Sequence, residues 1–357
     1  LLRESCASPA DWSACRAAIQ TGSRSFYAAS LLMPRRARAA AYALYAFCRD
    51  ADDLADAQSG PTDPLATLDA LEARLRAIYA GRPADHPFDR AFADVVASYR
   101  LPIGLPRALL EGFRWDALGR DYATIEELEA YAARVASSVG AMMCVLMGER
   151  RPDMLARACD LGAAMQLTNI ARDVGEDARL GRVYLPADWL AAEGLSPADL
   201  RAAPQASPAL ARVIARLLDH ADQLYARAEA GIVQLPFAMR PAIMAARLIY
   251  AEIGAVIAAN DFDSLSQRAV VASARKRALA SQALSALWRP GKPADLAAPA
   301  MAGAAFLVDI AAAATPPQTD RGWPWVMSLF LALGERDPAR PLRLAYPHER
   351  RILSTQG

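Results

Sequence analysis

The stretch Gln166-Leu167-Thr168-Asn169-Ile170-Ala171-Arg172-Asp173-Val174-Gly175-Glu176-Asp177 decides the reading of this chain. Gln166, Asn169, Asp173 and Asp177 recur at steps of three, four and four, so a helix aligns them in one stripe. Their flanks are Met165, Leu167, Ile170 and Val174, and the run from Leu161 to Val174 is otherwise apolar on nearly every face. A helix with so little polar surface belongs inside a large bundle. Oxygen-bearing side chains on such a helix need partners, because buried carboxylates repel one another and lose their hydration. Val135 to Met147 and Ile243 to Ala259 share this all-round apolar character. No strand-like alternation competes with the helical pattern. The expected fold class is all-α.

A second stripe lies upstream. Tyr45, Arg49, Asp52 and Asp56 are spaced by four, three and four, while Asp53 points roughly 100° away on the same helix. Two carboxylate faces meeting would form a cage for hard divalent ions. Magnesium favours such all-oxygen sites and shares them with phosphate and water. Neither patch contains histidine or cysteine, which argues against zinc. Arg49, Arg172 and Arg182 accompany the carboxylates, and forked guanidinium donors suit phosphate oxygens. Metals and arginines beside an apolar pocket fit ionisation of an allylic diphosphate, with apolar walls keeping water from the cation.

The bulk numbers narrow the alternatives. Lys+Arg is 40 and Asp+Glu is 39 over 357 residues, a net charge of +1, so nucleic acid is not an expected partner. The five cysteines (Cys6, Cys15, Cys48, Cys144, Cys159) form no CxxC pair, and a reducing, cytoplasmic compartment is expected. No uninterrupted apolar run reaches about 18 residues, so no transmembrane helix is predicted. The nearest approach, Ala297 to Thr315, contains Pro299 and Asp309. The chain starts at Leu1, which leaves a preceding targeting segment open. Pro/Gly clusters separate helical segments expected at Arg36–Ala57, Thr124–Met147, Met154–Asp177, Ser207–Val233 and Pro241–Asn260. Composition changes after Trp288. The expected organisation is one helical domain over residues 1–288 and a Pro-jointed, partly helical extension over 289–357. That extension carries Trp323-Pro324-Trp325 and is expected to pack on the bundle or lie against a membrane surface.

Five blocks now stand in order: Ser23-Arg24-Ser25-Phe26; Tyr45-Ala46-Phe47-Cys48-Arg49 running into Asp52–Asp56; Tyr131–Gly140; Gln166 through Asp177; and Gly181-Arg182-Val183-Tyr184-Leu185-Pro186. From about Gly22 to Leu284 the chain resembles the squalene/phytoene synthase family, and bacterial phytoene synthases in particular. The resemblance implies an isoprenoid synthase helical bundle with a central cavity. It implies that Asp52, Asp56, Asn169, Asp173 and Asp177 surround Mg2+ (Mn2+ being the alternative). It further implies that Arg49, Arg172, Gln166, Arg182 and, less directly, Arg268 contact diphosphate, and that Ser23, Arg24 and Phe26 help bind substrate. Tyr45, Tyr131, Tyr184 and Tyr250 would line the reaction centre.

The activity implied is Mg-dependent head-to-head (1'–1) condensation of two geranylgeranyl diphosphates to phytoene through a cyclopropyl diphosphate, the first committed step of carotenoid biosynthesis. No NADPH is expected. The small Ala29 and Ser30 suit twenty-carbon substrates. The alternative is a dehydrosqualene or presqualene diphosphate synthase acting on farnesyl diphosphate. A non-catalytic assembly factor and a terpene cyclase are remoter readings. Because substrates and product are greasy, peripheral association with the inner face of a membrane is expected, with downstream carotenoid enzymes as partners. Two positions depart from the family pattern. Gly22 stands where many relatives carry histidine, so a histidine base for the final proton loss is not expected. Ser137 stands where glycine is usual, and its hydroxyl is expected to be tolerated.

Overall fold

The structure, a computed structural model, describes residues 5–56, 63–202, 204–285 and 293–313. Among these residues the regular structure is helical throughout. In chain order the helices are α1 (Pro9–Gly22), α2 (Arg24–Ser30), α3 (Arg35–Asp56), α4 (Pro64–Tyr79), α5 (Pro87–Tyr99), α6 (Gly104–Ala117), α7 (Ile125–Ala132), α8 (Ser138–Leu146), α9 (Pro152–Arg179), α10 (Ala187–Ala192), α11 (Pro197–Ala202), α12 (Pro208–Ile232), α13 (Arg240–Ala259), α14 (Ser273–Ser285), α15 (Pro293–Ala297) and α16 (Ala305–Ala313). Local chemistry sets their ends. Ser8 and Asp11 form a capping box ahead of α1, and Ser207 caps α12 by accepting from the Leu210 amide. Proline opens several helices at positions where a missing N–H costs nothing, as at Pro152 and Pro208.

α9 is the hub. Its 28 residues run about 42 Å and pack against α8, α12, α13 and α16. Close approach requires small residues. A Cβ on Gly140 would meet the Ala158 carbonyl oxygen at 2.5 Å, and one on Gly162 would meet the Ala136 carbonyl oxygen at 2.6 Å. Gly162 packs against a π turn over Ala133–Ser137, which joins α7 to α8. Ser137 is fully buried there and donates from its hydroxyl to the Cys159 carbonyl at 2.7 Å, so the extra polar atom is satisfied.

α13 is the one described helix long and apolar enough to cross a membrane. Its Ala242, Ala245, Ile249, Ile253 and Ile257 are instead buried in the bundle, where an all-round apolar helix has its other natural place. The C-terminal part also packs inward: Leu307 and Ala311 of α16 are fully buried. The compact unit that holds these helices runs from Leu1 to Pro317. Residues 318–357, including Trp323-Pro324-Trp325 and His348, lie outside the described residues.

Candidate active site

The C-terminal halves of α3 and α9 bring the two acidic stripes to one cavity of about 170 Å³. Asp52, Asp56, Gln166, Asn169, Asp173, Asp177, Arg182, Tyr131 and Tyr184 all line it. Asp53 does not, and pairs with Arg49 at 2.6 Å on the outer side. Among the described residues no three acidic, histidine or cysteine side chains are grouped closely enough to hold a metal ion by themselves. The carboxylates are held by arginines instead: Arg49 on Asp52 at 3.3 Å, Arg182 on Asp56 at 2.8 Å, and Arg172 and Arg268 on Asp173 at 2.5 and 2.9 Å.

Loop geometry places the last two arginine-bearing segments. Beyond the end of α9 the chain turns at Gly181, whose φ of 75° suits a residue without Cβ. The Arg182 amide then donates back to the Asp177 carbonyl at 2.8 Å, which turns Arg182 toward Asp56. Gly175 leaves room for the loop after α13. A Cβ there would meet Leu265 Cα at 2.9 Å, and the Gly175 amide donates to the Ser264 carbonyl at 3.2 Å. That docking sets Arg268 on Asp173.

The titration of the cluster reports its charge balance. Burial, then repulsion from Asp56, pushes Asp52 up to about 6. Burial, then repulsion from Asp173, pushes Asp177 up to about 7. Burial also raises Asp173, but the hydrogen bonds from Arg172 and Arg268 outweigh it and hold that carboxyl below its usual range. The cavity thus carries more negative charge than its arginines neutralise.

Asp116, at the end of α6, is a site residue that the stripe analysis missed. It accepts from the Tyr131 hydroxyl through one oxygen and from the Tyr184 hydroxyl through the other, each at 2.8 Å. The two rings stack with centroids 5.1 Å apart. Burial pushes Asp116 up to about 6 against the lowering effect of both hydroxyls. No sequence spacing could reveal it, since its partners come from two other segments.

A second cavity, about 330 Å³ and almost wholly apolar, continues from the first. Gln166 and Asn169 line both. Phe26, Tyr45 and Tyr250 sit near the junction, with the Phe26 and Tyr250 rings 5.0 Å apart. Burial raises Tyr45 and pushes Tyr250 up to about 12, so both stay protonated at neutral pH. Ser23 caps α2, accepting from the Phe26 amide at 3.3 Å, and contacts Tyr250. Gly22 has a direct counterpart: a Cβ there would lie 2.4 Å from the Tyr45 hydroxyl, so Tyr45 fills the space a larger residue would take. The side chain of Arg24 lies outside the described residues. Arg49, Arg172 and Arg268 stand behind the carboxylates rather than on the cavity wall. His86, beside Arg74 at 3.2 Å, and His220, beside Glu129 at 2.8 Å, line neither cavity.

The chain is 55% identical over 278 residues to a phytoene synthase of Rhodobacter capsulatus, covering 78% of this chain and 82% of the relative. It is 51% identical over 317 residues to a phytoene synthase of Cereibacter sphaeroides, covering 86% and 89%. A crystal structure of a dehydrosqualene synthase in complex with ligand matches with a TM-score of 0.71 at 33% identity, over 78% of this chain and 96% of that one. The sequence model described as Squalene/phytoene synthase spans residues 19–276, which takes in both acidic stripes and the tyrosines around them, and the chain belongs to that family.

Proposed function

We propose that this chain is a prenyltransferase that joins two molecules of geranylgeranyl diphosphate head to head and releases phytoene. The observation that carries this is the continuous passage from a carboxylate- and arginine-lined mouth to an apolar tunnel, with Gln166 and Asn169 on the wall of both. Diphosphates belong in the first part and prenyl chains in the second. Two relatives above half identity named phytoene synthase support the twenty-carbon substrate.

The donor set fits divalent ions. Asp52, Asp56, Asn169, Asp173 and Asp177 offer only oxygen, and burial and mutual repulsion push Asp52 and Asp177 up to about 6 and 7, the mark of a site short of positive charge. These five side chains would hold Mg2+, or Mn2+ as the alternative. When bound, the ions neutralise the departing diphosphate and so ease breaking of the allylic C–O bond. Arg49, Arg172, Arg182 and Arg268, now paired with carboxylates, are placed to turn to phosphate oxygens, and Gln166 orients the diphosphate at the junction. The 2,3 double bond of the second substrate attacks the allylic cation of the first, and proton loss closes the cyclopropyl diphosphate. A second C–O ionisation, rearrangement and proton loss give the triene, with no hydride and hence no NADPH. Phe26, Tyr45, Tyr131, Tyr184 and Tyr250 face the cations with ring π-density and keep water out. The protons pass to diphosphate or along the tyrosine hydroxyls toward Asp116.

Incubation with Mg2+ and either geranylgeranyl or farnesyl diphosphate, followed by sizing of the hydrocarbon, tests this reading. A forty-carbon triene is expected, and a thirty-carbon product alone would sink it. Ala29 and Ser30 both line the tunnel. Ala29→Phe should therefore lower kcat/KM for the twenty-carbon substrate by at least roughly tenfold more than for the fifteen-carbon one.

The same reading sets the chain on the cytoplasmic face of a membrane, where downstream carotenoid enzymes take up the hydrocarbon. Leu31, Phe237 and Leu284 are exposed at 47%, 55% and 47%. The segments that bear them, 27–49, 230–251 and 264–285, contain arginine and lysine but no Asp or Glu, and of their arginines Arg247 and Arg275 pair with the neighbouring Glu229 and Glu252. Exposed apolar side chains on basic segments suit an anionic bilayer. Flotation with anionic vesicles should recover the protein, and Leu31→Asp with Phe237→Asp should reduce recovery at least roughly tenfold. Equal recovery would remove this face from the account.

A further inference from the structure

Toward the N-terminal part of α9, away from the carboxylates, Met154 and Arg157 line the tunnel, and Met147, Gly231 and Leu235 are also on its wall. One of these is charged. Arg157 is only 1% exposed, and its stem lies against Gly231, where a Cβ would come within 2.5 Å of Arg157 Cβ and 2.9 Å of its Cγ. Its guanidinium is engaged by groups that do not line the tunnel. Nε lies 2.9 Å from Asp160 Oδ2, one terminal nitrogen donates to the Asp295 carbonyl, and the other donates to the Pro299 carbonyl at 3.2 Å. Arg227 completes the cluster, donating to Asp160 at 3.1 Å and to the Pro299 carbonyl at 2.6 Å.

A buried guanidinium is costly, and a leucine would make an equally apolar floor. What the charge adds is a fixed rotamer. Met147 and Met154 beside it are unbranched and can repack around a longer chain. Arg157 is held on its far side by a carboxylate and two main-chain carbonyls, so its stem cannot yield. Asn169, at the junction of the two cavities, lies twelve residues along α9 from Arg157, about 18 Å, which is the scale of one extended twenty-carbon prenyl chain.

We propose that Arg157 is the floor of the tunnel and a determinant of the longest prenyl chain accepted, with residues 295–299 serving as the strap that holds it. The proposal rests on the prenyl diphosphate reading above. Geranylgeranyl and geranylfarnesyl (twenty-five-carbon) diphosphates compete for full-length protein, and the ratio of their kcat/KM values is read. Arg157→Ala removes the stem, leaving Asp160 paired with Arg227. Arg157→Met keeps the stem and removes the tether. The twenty-five- to twenty-carbon ratio should rise at least roughly tenfold in the first and by a smaller factor in the second, since five extra carbons against a fixed wall outweigh a single methylene. A merely structural role would lower both substrates together and leave the ratio flat, which would overturn the proposal. If the alanine variant does not fold, a flat ratio in the methionine variant does the same. Failure of the wild type to make any hydrocarbon from either substrate would instead fault the prenyl diphosphate reading.

Discussion

Asp177→Asn will abolish hydrocarbon formation, lowering kcat/KM by at least about a thousandfold, and will raise the melting temperature of the metal-free protein at pH 8. Both effects come from one surplus of negative charge. Burial, then Asp173, pushes Asp177 up to about 7 from an ordinary 3.8. As pH rises, the unfolded chain therefore loses this proton first. Between about pH 4 and 7 the folded state still holds it, stability falls through that window, and the penalty is complete above the folded value. Three pH units would convert to about 4 kcal/mol, and solvent access to a partly exposed carboxylate brings the expected penalty to roughly 1–3 kcal/mol. Asparagine has the same shape and cannot ionise, so a variant gain of a few degrees is expected at pH 8 and none near pH 4. Asp52, pushed up to about 6, adds a smaller contribution over a lower window. Thermal denaturation in chelator across about pH 4 to 8 reads the slope. Added Mg2+ should then raise the wild type more than the variant. An inactive variant that is less stable than wild type at pH 8 would mean that Asp177 serves the fold through a contact, and the charge-surplus account would fail.

Why the carboxylates were legible in the sequence and Asp116 was not follows from how each is built. Asp52 and Asp56 lie one turn apart on α3, as Asn169, Asp173 and Asp177 do on α9, so a helical period alone aligned them. The helices carrying them were readable to within two residues, Arg36–Ala57 against Arg35–Asp56 and Met154–Asp177 against Pro152–Arg179, and the start of α9 falls at Pro152, where backbone chemistry favours it. Asp116 becomes a site residue only when α6 meets Tyr131 from α7 and Tyr184 from the stretch after α9. That is a tertiary event with no periodic trace. The strap is similar. It follows the joint marked by Pro290 and Pro293, on which the break at 288 rests, but its carbonyls are fixed by Arg157 and Arg227, 138 and 72 positions upstream. The π turn at Ala133–Ser137 is a third case: Tyr131 through Gly140 reads as plain helix, while the structure inserts a bulge there, against Gly162.

Asp116→Asn should lower kcat roughly a hundredfold while the KM for geranylgeranyl diphosphate stays within about threefold, since the change disturbs aim rather than binding. The carboxylate accepts from two hydroxyls at once. An asparagine oxygen accepts from one and turns an amide N–H toward the other, so one tyrosine hydroxyl faces a donor with no acceptor. Tyr131 is only 3% exposed and cannot turn to water instead. A buried hydroxyl without its acceptor costs about 1–3 kcal/mol, enough to displace a ring. Because Tyr131 and Tyr184 stack at 5.1 Å, displacing one moves the other. Removing the offending hydroxyl should relieve the mismatch. Tyr131→Phe combined with Asp116→Asn should therefore be no slower than the slower single variant, a coupling of roughly 1–2 kcal/mol. Strict additivity would mean that Asp116 acts independently of the tyrosine pair. A rise in KM matching the fall in kcat/KM would place it in substrate binding. Either result would remove it from the role of aligning the aromatic wall around the cation.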